Sequence, residues 1–290
     1  MGTPVAELLE LLDLEALGDD CFRAPGVVTE RSRLYGGQLV AQAMMAAGRV
    51  AEPDRSLHAV HASFLSGGSA TEAIDYEVHR LRDSGSFTVC SVRAEQHGRA
   101  LLQLTASFHL GEVGPEVDVG GPTVGAPETM ISVDDWLLAQ PDPATQVDLP
   151  YFVDAAEFRQ ASDAVVRDEA TGRGSLPGPQ RDVWVRVVDR LPDRPLVHAC
   201  VIAYLSDKPA LGTTVLGPPL HGDPSGHLVA SLDHAMWFHR SCRADEWMLF
   251  HCETATAAGA RAFARMELYG GDGRLAVSAA QEGLIRPLRP

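Results

Sequence analysis

One order of elements occurs twice in this chain, and it limits the fold more than any composition figure does. In the first half, G-G-Q-L-V-A-Q-A-M-M-A-A-G-R-V (36–50) has no proline and no charge before Arg49. A segment apolar almost all round predicts a buried helix. Strands are expected next at Leu57–Leu65, Ile74–Leu81, Ser86–Gln96 and Arg99–Leu110, the last two joined at the hairpin signal His97-Gly98. In the second half Asp182–Asp189 alternates as a strand. Leu196–Ser206 is then a helix by position, although its propensity is ambiguous. Strands at Ala230–His239, Met248–Thr256, Gly259–Tyr269 and Arg274–Arg286 follow, with G-G-D-G as the last turn. Forty residues separate His58 from Gly98, and forty separate Asp233 from Gly273. Such spacing marks an internal repeat. At its offset of 175, Gln281 falls on Ala106 and Ser231 on Ser56.

A helix buried by an antiparallel meander, given twice, predicts an α+β chain of tandem (double) hot-dog type. Two antiparallel sheets would each wrap one buried helix, with the ligand between the halves. The expected division is an N-terminal hot-dog over 1–112, an acidic Gly/Pro-rich connection over 113–180 and a C-terminal hot-dog over 181–290. The connection offers only short candidates, Trp136–Leu138 and Tyr151–Phe158.

Composition excludes several classes. No apolar run approaches the ~20 residues of a membrane span. Residues 5–15 read as an amphipathic helix with glutamates in it, not as a signal peptide. Five cysteines, with no C-x-x-C, predict neither disulfides nor zinc and point to a reducing cytoplasm. A net charge of −15 excludes a nucleic-acid footprint. Residues 111–170 hold thirteen Asp or Glu against two Arg, so the flanks can still form a pocket for an anionic ligand.

The stretch A-S-L-D-H-A-M-W-F-H (230–239) carries the first chemistry. On a regular strand Ser231 and His234 face opposite sides, so His234 cannot serve Ser231 as a base. There is no G-x-S-x-G elbow either. Ser231 is then a small strand residue, or its hydroxyl orients a water for a carboxylate placed elsewhere. His58 and His61, three apart on a strand, face opposite sides and make no metal pair.

Several motifs together resemble the acyl-CoA thioesterase II family, the TesB-like double hot-dog enzymes. They are Y-G-G-Q-L-V-A-Q-A (35–43), H-A-V-H-A-S-F-L (58–65), L-R-D-S-G-S-F (81–87), A-S-F (106–108), Y-L-S-D (204–207), S-L-D-H-A-M-W-F-H-R (231–240) and A-A-Q-E-G (279–283). The resemblance runs nearly end to end. It implies a hydrolase that splits fatty acyl-CoA into free acid and CoA, with no metal and no cofactor. By position it implies Asp207 as the general base on water, with Ser231 and Gln281 holding that water or the thioester carbonyl. One site per chain is expected, in the second half.

Gly36 and Gly37, at the start of the first buried helix, are candidates for polarising the carbonyl, or only let the helix pack close to the sheet. His58 matches a family histidine near the site, with packing as its alternative. His234 and His239 match the family run as structural or subunit-contact residues. Arg93, Arg240 and Arg243 are candidates for phosphate contact, or ordinary surface arginines. Two departures stand out. Ser231 replaces the usual Thr, losing the methyl that stiffens χ1. F-L-S-G-G (64–68) replaces F-L-R-P-G, losing an arginine and a proline. Two alternatives are a thioesterase on a carrier-bound acyl group, which so acidic a chain disfavours, and a non-catalytic acyl-CoA binder, which Asp207 and Gln281 disfavour. A homodimer or homotetramer is expected, without membrane insertion.

Overall fold

The structure is a computed structural model that describes residues 3–27, 33–118, 120–132, 155–160, 166–167, 174–175, 178–217, 220, 224 and 226–288. Its elements in chain order begin with α1 (Pro4–Leu12), β1 (Glu15–Gly18), β2 (Cys21–Ala24) and α2 (Gly36–Val50). Then come β3 (Arg55–Phe64), β4 (Ile74–Ser84), β5 (Phe87–Gln96) and β6 (Arg99–Leu110). The middle holds a 3₁₀ turn (Pro127–Thr129), β7 (Ile131–Ser132), β8 (Ala156–Gln160), β9 (Val166–Arg167) and β10 (Gly174–Ser175). The second half has β11 (Gln180–Val187), α3 (Pro195–Leu216), β12 (His227–Ser231), β13 (Asp233–Phe238), β14 (Met248–Ala258), β15 (Arg261–Tyr269) and β16 (Leu275–Pro287).

The expected helices and meanders are present, but the two sheets are hydrogen-bonded into one. Its 14 strands run β1-β2-β4-β5-β6-β3-β13-β16-β15-β14-β11-β8-β7, with β12 also on β16. The halves meet where β3 pairs antiparallel with β13, Val60 opposite Met236 and His61 opposite Ala235. This seam satisfies two edges that separate sheets would leave open. The stretch read as connection supplies β8, which pairs with β11, and β7, which pairs with β8. Trp136–Leu138 lies outside the described residues.

Both long helices lie inside the curl of the sheet. Within α2, Leu39 to Ala47 is buried without a break, as its near-continuous apolar run predicts. Its Gln42 is satisfied by the Tyr76 hydroxyl at 2.7 Å and by the Leu11 carbonyl at 2.8 Å. α3 is longer than its sequence signal, because it continues through Pro209. A proline removes one backbone donor and usually ends a helix. Here nearly every residue beyond it is buried, so packing overrides propensity. A Cβ on Gly37 would lie 2.5 Å from the Tyr204 carbonyl oxygen, and one on Gly48 2.3 Å from Leu196 Cδ2. The two helices therefore run antiparallel in close contact, and at Gly37, where the neighbour is backbone, only glycine permits it.

The seam also corrects the repeat alignment. Val60 and Met236 are both buried and lie opposite each other. Val60 pairs next with Ala106, and Met236 with Ala279. Ala106 thus matches Ala279, and two residues on, Gln281 matches Phe108 instead of Ala106. Bulges in the strands shift the register away from a constant offset.

Candidate active site

Where the N-terminus of α2 meets the middle of α3, a cavity of about 540 Å³ opens between the halves. Phe64 and Leu39 from the first half, and Leu211, Val215 and Val229 from the second, give it apolar walls. Asp207 and Ser231 sit on its surface. Asp207 was expected at the edge of the helix; it lies well inside α3, because that helix runs on to Leu216.

Three groups converge on the Asp207 carboxylate, which is only 6% exposed. Gln281 Nε2 donates to Oδ1 at 2.7 Å, and the Ser231 hydroxyl donates to the same oxygen at 3.0 Å. The Gly37 amide donates to Oδ2 at 3.0 Å. Gln281 Nε2 also reaches Ser231 Oγ at 2.8 Å. A Cβ on Gly36 would lie 2.8 Å from Asp207 Oδ2 and 3.2 Å from the Phe64 ring, so glycine is what admits the carboxylate there. A buried carboxylate is tolerated when donors and a helix N-terminus stabilise its charge. The Gly37 amide, expected to face a thioester carbonyl, is used in this way instead. Tyr35 caps the arrangement, its hydroxyl donating to the Tyr204 carbonyl at 2.8 Å. Burial, and next the Asp207 charge, push the Tyr35 phenol well above its usual range.

The expected orientation of His234 is wrong, for a local reason. Ser231 pairs with Gly283, but Ala235 pairs with Ala280, so four steps on one strand match three on the other. This is a β-bulge at Leu232–Asp233, and it reverses the alternation of side chains. The Asp233 carboxylate takes the Glu282 amide at 2.7 Å in place of a ladder bond. Ser231 and His234 therefore face the same side, toward α3. His234 Nδ1 lies 2.8 Å from Gln281 Oε1, and its Nε2 lies 2.9 Å from Ser206 Oγ. Burial lowers the His234 pKa, while Asp207 and the Gln281 bond oppose that shift. One clue in the sequence was Asp233, a residue type rare in strands.

Asp207, Ser231, Gln281, Gly36 and Gly37 thus come together, and His58 does not. His58 sits at a bulge of β3, on the sheet face away from α2, with Ser107 Oγ at 2.8 Å. The rings of Phe87 and His109 flank it, and burial, then His109, lower its pKa. The three candidate arginines are engaged elsewhere. Arg93 meets Glu95 at 3.2 Å, Arg243 meets Asp193 at 2.7 Å and Asp245 at 2.9 Å, and Arg240 donates to the Leu275 carbonyl at 2.8 Å. The basic side chains that line the cavity are Arg33 and Lys208. The departing segment Phe64–Gly68 lines it throughout.

Comparison with known proteins agrees with this arrangement. A family described as acyl-CoA thioesterase matches residues 153–284, and one described as acyl-CoA thioesterase N-terminal domain matches 24–109. The chain is 35% identical over 284 residues to acyl-coenzyme A thioesterase 8 of Homo sapiens, covering 95% of this chain and 88% of that protein. It is 34% identical to acyl-CoA thioesterase 2 of Haemophilus influenzae, covering 99% of each. Among solved structures, an acyl-CoA thioesterase II of Mycobacterium marinum superposes with a TM-score of 0.79 at 31% identity, over 96% of this chain and 98% of that one. A protein from Alicyclobacillus acidocaldarius described as having a hot-dog fold superposes at 0.74 with 17% identity, over 97% of this chain and 98% of that one, a likeness of fold alone. With its tandem hot-dog halves and this extent of similarity, the chain belongs to the acyl-CoA thioesterase family and is a thioester hydrolase that splits acyl-CoA into free acid and CoA.

Proposed function

We propose that Asp207 is the general base of this hydrolysis and that Ser231 and Gln281 orient its water. The supporting observation is the triangle of Asp207, Ser231 and Gln281, all within 3.0 Å of one another at the cavity wall. Attack by water needs a base, a second group to fix the water and a polarised carbonyl. A carboxylate buried among donors at an apolar cavity supplies the first two. The carbonyl is polarised by the start of α2, where Gly36 borders the cavity. No acyl-enzyme is required, since thiolate is already a good leaving group. The acyl chain occupies the space between Phe64, Leu211 and Val215, and the CoA phosphates lie toward Arg33, exposed at the rim.

The enzyme acts in the cytoplasm as a homodimer or homotetramer. Five free thiols support the first reading, and Trp237, 37% exposed and edge-on to His61 on the outer face of the seam, supports the second. Among the described residues no helix is long and apolar enough to cross a membrane. Light scattering after size exclusion tests the assembly.

Thiol release from an acyl-CoA series tests the mechanism. Wild-type protein is expected to release CoA with an optimum chain length set by the cavity. Asp207→Asn is expected to lower kcat by about 10³-fold. Unchanged kcat in a folded Asp207→Asn protein rejects Asp207 as the base.

A further inference from the structure

The hydrogen bonds that Gln281 makes fix where its amide hydrogens lie. An ionised Asp207 only accepts, so the end of Gln281 that faces it must be the NH₂ group. Both hydrogens of that group are committed, to Asp207 Oδ1 at 2.7 Å and to Ser231 Oγ at 2.8 Å. Oε1 then faces His234 Nδ1 at 2.8 Å. A carbonyl oxygen cannot donate, so Nδ1 must carry the proton. In a neutral imidazole Nε2 is then bare and takes the single Ser206 hydroxyl hydrogen at 2.9 Å, in competition with the Ala203 carbonyl, also at 2.9 Å. Ser206 immediately precedes Asp207 on α3, so the bonds close a ring from α3 through β13 and β16 back to α3. His234, Ser206 and Gln281 are 1%, 0% and 2% exposed, which leaves little solvent to substitute for any partner.

We propose that His234 is a positioning residue for thioester hydrolysis: held by Ser206 as the Nδ1–H tautomer, it locks the Gln281 amide with both hydrogens turned toward Asp207 and Ser231. With the amide turned over, Oε1 would face the carboxylate and the water site would lose its donor. This role rests on Asp207 being the base. It is separable from a packing role because the fold contains its own control. Phe108 of the first half matches Gln281; there a bulge turns His58, the counterpart of His234, onto Ser107 and sets Leu57 opposite Phe108. A hot-dog half therefore closes over its helix with an apolar pair at these two places. The polar pair occurs in the half that carries Asp207.

Two measurements test the proposal. In protein labelled with ¹⁵N-histidine, the His234 resonances, assigned by their loss in His234→Asn, are expected to show a protonated Nδ1 and a bare Nε2. The opposite tautomer overturns the proposal, and this readout stands whatever the activity. In kinetics on an acyl-CoA, His234→Leu is expected to lower kcat on the order of 100-fold and leave KM within about threefold. His234→Asn, whose Nδ2–H falls near the place of Nδ1–H, is expected to stay within about fivefold of wild type. A folded Leu variant with wild-type kcat, or an Asn variant no better than Leu, overturns the proposal. A wild-type protein inactive on every acyl-CoA, yet showing the expected tautomer, would reject the hydrolytic reading and the role built on it, and leave only the proton assignment.

Discussion

At the scale of single residues, Asp207 is the most constrained group in the molecule. Its charge is buried, and it is tolerated because Gln281, Ser231 and the Gly37 amide all donate to it. Ser231→Ala removes one donor and the water contact, and should lower kcat by about 10²-fold with a smaller change in KM, read from steady-state thiol release. Ser231→Thr adds a methyl that stiffens χ1 and should raise kcat by about two- to fivefold in the same assay. Asp207, Ser231 and Gln281 were candidates in the sequence through resemblance alone, since nothing in their spacing announces that they come together. His234 was misread, because one extra residue at Leu232–Asp233 reverses strand alternation and no periodicity rule sees it.

At the scale of elements, the crossing of α2 over α3 sets the site, because it brings the Gly36-Gly37 start of one helix onto Asp207 of the other. Gly37→Ala should gain helix propensity yet drive a Cβ into the Tyr204 carbonyl, where backbone cannot move aside. A net loss of about 2 kcal/mol and a lower Tm are expected in thermal unfolding. On the outer side of the second-half strands, His251 Nδ1 on β14 meets Asp182 on β11 at 2.6 Å, and this bond raises the His251 pKa against the effect of burial. A histidine raised on folding stabilises below its unfolded pKa, and that contribution fades as pH rises through the folded value. Wild type should therefore exceed Asp182→Asn by about 0.5 kcal/mol near pH 6 and converge on it at higher pH, in urea melts across that range. The Phe64–Gly68 turn lines the cavity, so Ser66→Arg, restoring the cation this chain lacks, should lower KM for acyl-CoA at low salt and lose that gain as salt rises.

For the whole molecule, the β3–β13 seam makes one sheet from two halves and leaves them chemically unequal. Phe108 occupies the first-half position that Gln281 holds in the second, and a bulge at His58 sets Leu57 against it, so one site per chain is expected. Calorimetry with a non-hydrolysable acyl-CoA thioether should give one ligand bound per chain; two would show that the first half holds a site of its own. The buried α2, the two meanders and their repetition can be read from the residues alone, because hydrophobic periodicity and glycine turns act locally. The sequence also carried the family resemblance and with it the candidate site residues. The fusion of the sheets, the run of α3 through Pro209, the Gly37 amide on Asp207 and His234 facing Gln281 emerge in the folded chain alone. Each of these depends on register across strands or on the packing of distant segments. Such terms come from pairing between residues far apart in the chain, and no local pattern carries them.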